Sequence, residues 1–207
     1  MRPLIATRRR RWYVIAVLLF VVVVAVTSHR YFRPAPKIAP AHSHAVASDK
    51  SLYLLDSVWT TDRDKTIRLG ELRGYYVVMA LIFTECNGVC SVMVKELQTF
   101  STSLPRDIKN QTRFVAITID PDDTGEALLH YRQEMQLDEP QWMLLRSTPA
   151  AVRELAAVLG FNYAQTDNRQ FSHSNLLTLL NPSGEIIHQQ QGAGSDLREL
   201  TAAIHKE

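Results

Sequence analysis

The chain has 207 residues, 46% of them hydrophobic, with a formal net charge of +2, which is room for one full-sized globular domain plus extra segments. The charge is unevenly spread: residues 1–48 hold eight Lys or Arg and no acid, leaving 15 basic and 21 acidic residues, a net −6, for the rest. A mildly acidic main domain argues against nucleic-acid binding through a broad basic face.

From Trp12 to Val26 every residue is apolar or aromatic, and Thr27-Ser28 extend the run to the short end of what crosses a bilayer. Arg2 and Arg8 to Arg11 precede it, against Arg30, Arg33 and Lys37 after it. The positive-inside rule then predicts a cytoplasmic basic N-terminus over 1–11, a single transmembrane anchor over 12–28, and a domain on the far side, in the bacterial case the periplasm. The run is long for a signal-peptide core, and the best small-x-small site, Ala45-Val46-Ala47, lies too far downstream for ordinary cleavage. Residues 29–50, with Pro34, Pro36 and Pro40 among alanines and histidines, read as a flexible tether. His42 and His44 within it read as solvated polar residues rather than ligands.

The domain spans 51–207. Tyr53 to Trp59 and Thr66 to Leu69, flanking polar Thr61 to Lys65, predict a hairpin. Gly74 opens a buried strand from Tyr75 to Phe83. That strand runs into Thr84-Glu85-Cys86-Asn87-Gly88-Val89-Cys90, which carries the only two cysteines of the chain. Val89, Met93, Leu97, Phe100 and Leu104 then recur at helical spacing, so both thiols sit at a strand-to-helix junction. Unpaired N–H groups and the helix dipole predict a lowered thiol pKa there.

Arg113 to Ile119 reads as a second strand, leaving through Asp120-Pro121; Asp120 is an ordinary turn former, or orients a ligand. Asp123 and Glu126 resemble a capping box for a helix bearing Ala127, Tyr131 and Met135. Trp142 to Leu145 is a third strand, and Thr148-Pro149 starts a helix that stops at Gly160. Asn175 to Leu180 and Glu185 to Gln190 straddle an Asn-Pro-Ser-Gly turn, and Leu197, Leu200 and Ile204 predict a last helix. This order is an α/β sandwich with parallel crossovers and one antiparallel pair, and a cysteine pair after its central strand is the arrangement of the thioredoxin-like fold.

Cys86 and Cys90 admit three readings: a structural disulfide, a redox pair or a metal site. A metal needs a third group. His130, His188 and His205 fall in a helix, a hairpin strand and the C-terminal end, whereas His173 falls in a polar loop directly before a predicted strand, which can lie beside the cysteine turn.

Cys86-x-x-x-Cys90 after an apolar strand ending Phe83-Thr84, then Thr118-Ile119-Asp120-Pro121-Asp122-Asp123-Thr124, then His173-Ser174 before a strand and an Asn-Pro-Ser-Gly turn, together resemble the Sco/SenC family over residues 51–207. The resemblance implies a membrane-tethered, thioredoxin-like protein that binds copper through Cys86, Cys90 and His173 and delivers it to a copper-accepting subunit of a respiratory oxidase or to another periplasmic copper or redox protein. Two thiolates and an imidazole suit Cu(I), and with an added ligand Cu(II). The family's prolines after each cysteine and its acids beside the first cysteine and the histidine are replaced by Asn87, Ser91, Gly88 and Ser172. That predicts a looser turn, easier thiolate formation and a different surround for the ion. The competing reading is a thiol-disulfide oxidoreductase using the same two cysteines without His173. Peroxide reduction at Cys86 is disfavoured, because the activating arginine and proline are missing around it.

Overall fold

The computed structural model describes residues 50–86, 88–137, 140–166 and 170–206. The basic segment 1–11, the apolar run 12–28 and the tether up to residue 49 lie outside them. Among the described residues no helix is long and apolar enough to cross a membrane.

The elements follow as β1 (Val58–Thr61), β2 (Thr66–Arg68), β3 (Tyr76–Ile82), α1 (Val89–Ser103), α2 (Arg106–Asn110), β4 (Thr112–Thr118), α3 (Gly125–Glu134), β5 (Trp142–Arg146), α4 (Pro149–Leu159), β6 (Tyr163–Gln165), β7 (Phe171–His173), β8 (Leu176–Leu180), β9 (Ile186–Gln191) and α5 (Arg198–Ile204). Seven strands form one sheet in the order β2-β1-β5-β4-β3-β8-β9. The β3–β4 and β4–β5 pairs are parallel, and β8, β9 and the β1–β2 hairpin are antiparallel additions at either side. This is the thioredoxin-like α/β arrangement with an N-terminal hairpin.

Parallel strands covered on both faces read as continuous apolar runs rather than alternations. Every residue of β3 from Val77 to Ile82 is accordingly buried, as is β4 from Phe114 to Thr118. Phe114 stacks on Trp142 of β5, with ring centroids 5.0 Å apart.

The first hairpin is shorter than its sequence suggests. Leu52–Leu54 forms a single 3-10 turn, because the Ser51 side chain accepts from the Tyr53 N–H and so competes with an extended backbone. The Leu52 N–H donates to the Gly184 carbonyl in the β8–β9 turn. Gly184 has φ +86°, and a Cβ there would lie 2.4 Å from the Tyr53 ring, so only glycine lets the turn close on the domain's first residues.

The helix starts follow cap chemistry. Thr148 caps α4 by accepting from the Ala151 N–H, and Gly160 ends that helix with φ +68°. For α3 the cap is Thr124, which accepts from the Ala127 N–H, rather than an Asp123–Glu126 box. Asp123 is displaced from that role because its carboxylate is used elsewhere.

One buried ion pair braces the hairpin against α3. Arg132 Nε and Nη2 donate to the two Asp62 carboxylate oxygens at 2.6 and 3.1 Å, and Nη2 and Nη1 also donate to the carbonyls of Trp142 and Leu137. Both side chains are about 95% buried, so the extra carbonyl bonds offset the desolvation that an ion pair alone leaves uncompensated.

Candidate metal centre

At the end of β3, Phe83 is buried and the Cys86 N–H turns back to its carbonyl at 3.2 Å. Gly88 then stands at the N-cap of α1 without a side-chain cap, which leaves the first turn of the helix facing the cysteines. Cys90 lies in that first turn and is fully buried, while Cys86 remains at the edge of exposure. Both are free thiols. The buried stripe of α1 is Cys90, Met93, Val94, Leu97 and Phe100; Val89, expected on it, is about half exposed at the rim of the site.

Ser91 Oγ donates to the Cys86 carbonyl at 2.8 Å, a bond that a proline at this place cannot make. Thr84, two residues before Cys86, is fastened from the other side: its N–H and Oγ donate to the Asp123 carboxylate at 3.1 and 2.5 Å, and Thr118 Oγ at the end of β4 donates to the same carboxylate. Asp123 is 8% exposed, so these charge-assisted bonds lie largely out of water. The sequence singled out its neighbour Asp120, which turns out to make a local turn by accepting from the Asp122 N–H at 2.9 Å. Burial raises the Asp120 pKa, and the charges of Asp123, Asp122 and Glu85 add to the rise. The three donors converging on Asp123 come from Thr84 after β3 and Thr118 at the end of β4, so the signal was not local.

His173 is not in a loop. Tyr163–Gln165 and Phe171–His173 form a separate two-stranded antiparallel ribbon in which Tyr163 pairs with His173. The ribbon is too short and too exposed to announce itself by periodicity. It carries the imidazole to the cysteines: Nε2 lies 3.1 Å from Cys90 Sγ. The other ring nitrogen, Nδ1, is 2.8 Å from the Ser174 carbonyl, which can only accept. Nδ1 therefore carries a proton, and in the neutral imidazole the Nε2 lone pair faces the thiol. The ring is held by Phe161, stacked at 5.8 Å, and by Phe83, edge-on at 5.8 Å.

Among the described residues Cys86, Cys90 and His173 are the one cluster of metal-ligating side chains, with ligand atoms all within 4.8 Å of one another. Two thiols and an imidazole make a soft donor set for a transition-metal ion. His130 pairs loosely with Glu134 on the exposed side of α3, and His188 contacts Gln190 and Glu199, so neither joins the cluster. His42 and His44 lie outside the described residues. A cavity of about 420 Å³ opens over the cluster, lined by Phe83, Cys86, Val89, Phe171, His173 and Asn175 among others.

The expected lowering of the thiol pKa does not hold for Cys90. Burial pushes its thiol up well beyond the ordinary range, and the hydrogen bond and charge of Cys86 push it further, outweighing the helix start. In the ion-free protein Cys90 is a thiol that donates to His173 Nε2. Tyr131 of α3 is buried nearby; burial raises its pKa first, then the charges of Cys90 and Cys86.

Comparison with known proteins bears on this site. The SCO1/SenC family model matches residues 53–207. No match to a curated protein sequence was found. Similar solved structures include Arabidopsis thaliana ScoI with copper bound (21% identity, TM-score 0.62, covering 72% of this chain and 94% of that one). A SCO1/SenC family lipoprotein from Bacillus anthracis is also similar (21%, TM-score 0.64, 77% and 98%). So is BsSco, a member of the Sco family of cytochrome c oxidase assembly proteins (18%, TM-score 0.63, 72% and 88%). At these identities the likeness of structure speaks for the fold, and the family model, spanning most of the sequence and both cysteines and the histidine, establishes that this chain belongs to the SCO1/SenC family.

Proposed function

We propose that this chain is a copper-binding metallochaperone whose cargo is held by Cys86, Cys90 and His173 and passed on by ligand exchange. The observation that carries the reading is the 3.1 Å approach of His173 Nε2 to Cys90 Sγ, with the lone pair aimed at the sulfur. A dithiol reductase has no need of that imidazole. Two thiolates and one imidazole suit Cu(I), whereas zinc in a closed structural site asks for a fourth protein ligand. The copper-bound state of the Arabidopsis relative supports the same choice.

The chain's own residues set how the ion is taken and released. Ser174 fixes the imidazole tautomer, Phe161 and Phe83 fix its plane, and Ser91 with Asp123 fixes the turn that presents Cys86. Burial holds Cys90 protonated until the ion replaces the proton, so loading releases protons and weakens at low pH. Cys86 lines the cavity and Cys90 does not, so Cys86 is the ligand an incoming partner reaches first.

The acceptor in this reading is a copper-binding oxidase subunit or another periplasmic copper or redox protein, as the oxidase-assembly role of the BsSco family suggests. The layout is a cytoplasmic segment 1–11, an inner-membrane anchor 12–28, a tether 29–50 and a periplasmic domain 51–207. A second reading, thiol-disulfide exchange, is favoured by two buried sulfurs close together, of which Cys86 lines the cavity. In it Cys86 attacks a partner disulfide and Cys90 resolves the mixed disulfide, leaving the partner reduced and this chain oxidised.

A Cu(I) titration of the reduced chain against a strong chelator separates the two. One copper per chain, lost in both Cys86→Ser and His173→Ala, supports the chaperone. Undiminished binding by His173→Ala, with disulfide-exchange activity needing both cysteines, overturns it in favour of exchange.

A further inference from the structure

On the wall of the cavity that Cys86 and His173 line stands a residue whose side-chain oxygen the ion-free protein leaves without a use. Asn175 Oδ1 is buried and has no hydrogen-bond donor. Its side chain lines the same cavity as Cys86 and His173, and it precedes β8 by one residue, two after the histidine. A buried acceptor without a donor is costly, and native proteins keep few of them without a reason.

The surroundings of that oxygen indicate what the reason is. The Gly192 N–H donates to the Asn175 backbone carbonyl at 2.7 Å, which brings the two residues together where β8 and β9 begin to pair. A Cβ on Gly192 would fall 2.5 Å from Asn175 Oδ1 and 2.5 Å from Met93 Sδ, so the oxygen and the thioether sulfur are neighbours across a glycine. Both are acceptors, and neither can donate to the other. A half-turn of the amide removes the mismatch, because it exchanges the oxygen for N–H groups that can donate to Met93 Sδ. Oxygen and nitrogen of an amide differ little in size, so the swing asks nothing of the packing.

We propose that Asn175 is a swinging fourth donor: on the copper reading given above, its Oδ1 turns into the cavity and supplies the oxygen that divalent copper requires and monovalent copper does not. Three soft donors complete a site for Cu(I), whereas Cu(II) favours four donors in a tetragonal set and accepts oxygen readily. Cys86, Cys90 and His173 supply three, and of the oxygen-bearing side chains on the cavity wall, Gln170, Ser172 and Asn175, it is Asn175 whose oxygen is buried without a hydrogen-bond partner. It touches the ion in one oxidation state only. Its consequence is a selective gain in Cu(II) affinity, which shifts the redox balance of the bound ion toward the oxidised form.

The test loads the reduced full chain, in parallel, with one equivalent of Cu(I) or Cu(II) under anaerobic competition, and records the electron paramagnetic resonance spectrum of the Cu(II) form. Asn175→Leu, close to Asn in size, is expected to weaken Cu(II) binding at least tenfold and to alter the copper hyperfine splitting, leaving Cu(I) affinity within about twofold. Asn175→Asp, which keeps an oxygen at the same place and adds charge, is expected to bind Cu(II) more tightly than the parent. An Asn175→Leu spectrum and Cu(II) affinity equal to the parent overturn the assignment, as does an equal loss for both ions, which marks a structural role. A parent chain that takes up neither ion overturns the copper reading itself, a result distinct from both.

Discussion

His173 and Cys90 are 83 residues apart in sequence, and the imidazole Nε2 lies 3.1 Å from the thiol sulfur. The contact depends on Phe161, whose ring stacks on the imidazole and is itself 4% exposed. Phe161→Ala removes the stack and a core side chain together. The expected result is a destabilisation of about 3 kcal/mol, from loss of apolar burial plus a cavity, with Cu(I) affinity lower by about tenfold. Urea unfolding and chelator competition measure the two effects separately.

Asp123 gathers donors from Thr84 and Thr118 and so couples the approach to Cys86 to the end of β4. Asp123→Ala leaves two hydroxyls and an N–H without their acceptor. We expect a loss of about 2–4 kcal/mol in urea unfolding, since hydrogen bonds to a charged acceptor each contribute about 1.5–3 kcal/mol and water recovers part of the loss. Copper uptake should fall with it, because the turn is no longer pinned upstream of Cys86.

The Asp62–Arg132 pair predicts an asymmetry. Asp62→Ala leaves a buried guanidinium without its carboxylate and should cost about 3–5 kcal/mol, whereas replacing both residues with apolar ones of similar volume should cost far less. A double-mutant cycle by denaturant unfolding checks this. Copper binding should hardly change in the double variant, since neither residue belongs to the cysteine cluster or lines the cavity over it.

Stability should fall in alkali. Cys90, Tyr53 and Tyr131 all have pKa values raised by burial, so the folded chain keeps protons that the unfolded chain sheds. The stabilisation is fully present below the ordinary thiol and phenol values and is lost progressively as pH rises above about 8.5 toward the folded values. Between pH 7 and pH 10 the ion-free chain should lose about 2–3 kcal/mol by urea unfolding. A stability that is flat or rising over that interval contradicts the burial account.

Much of the fold was legible in the sequence because its central strands carry unbroken apolar runs and its helices carry recognisable ends. Val77 to Ile82 and Thr148-Pro149 with Gly160 are examples, and they lie where the patterns predict. The cysteines were legible as a pair at a strand-to-helix junction. What the sequence hid depends on contacts between distant segments. The β6–β7 ribbon is three residues a side and mostly solvent-facing, so no period betrays it. Asp123 looked like a cap because its donors, Thr84 and Thr118, arrive only once β3 and β4 are paired. The direction of the Cys90 pKa was misread because helix-start electrostatics is local and visible, whereas full burial of the side chain is neither. Likewise the replacement of a family proline by Ser91 read only as the loss of a proline, whereas its hydroxyl also donates to the Cys86 carbonyl.

The most direct measurement is X-ray absorption of the chain loaded with one equivalent of Cu(I). The account predicts two sulfur scatterers and one imidazole nitrogen in the parent, and loss of the imidazole pattern in His173→Ala with both sulfurs kept. A parent spectrum showing sulfur alone, unchanged by His173→Ala, contradicts it.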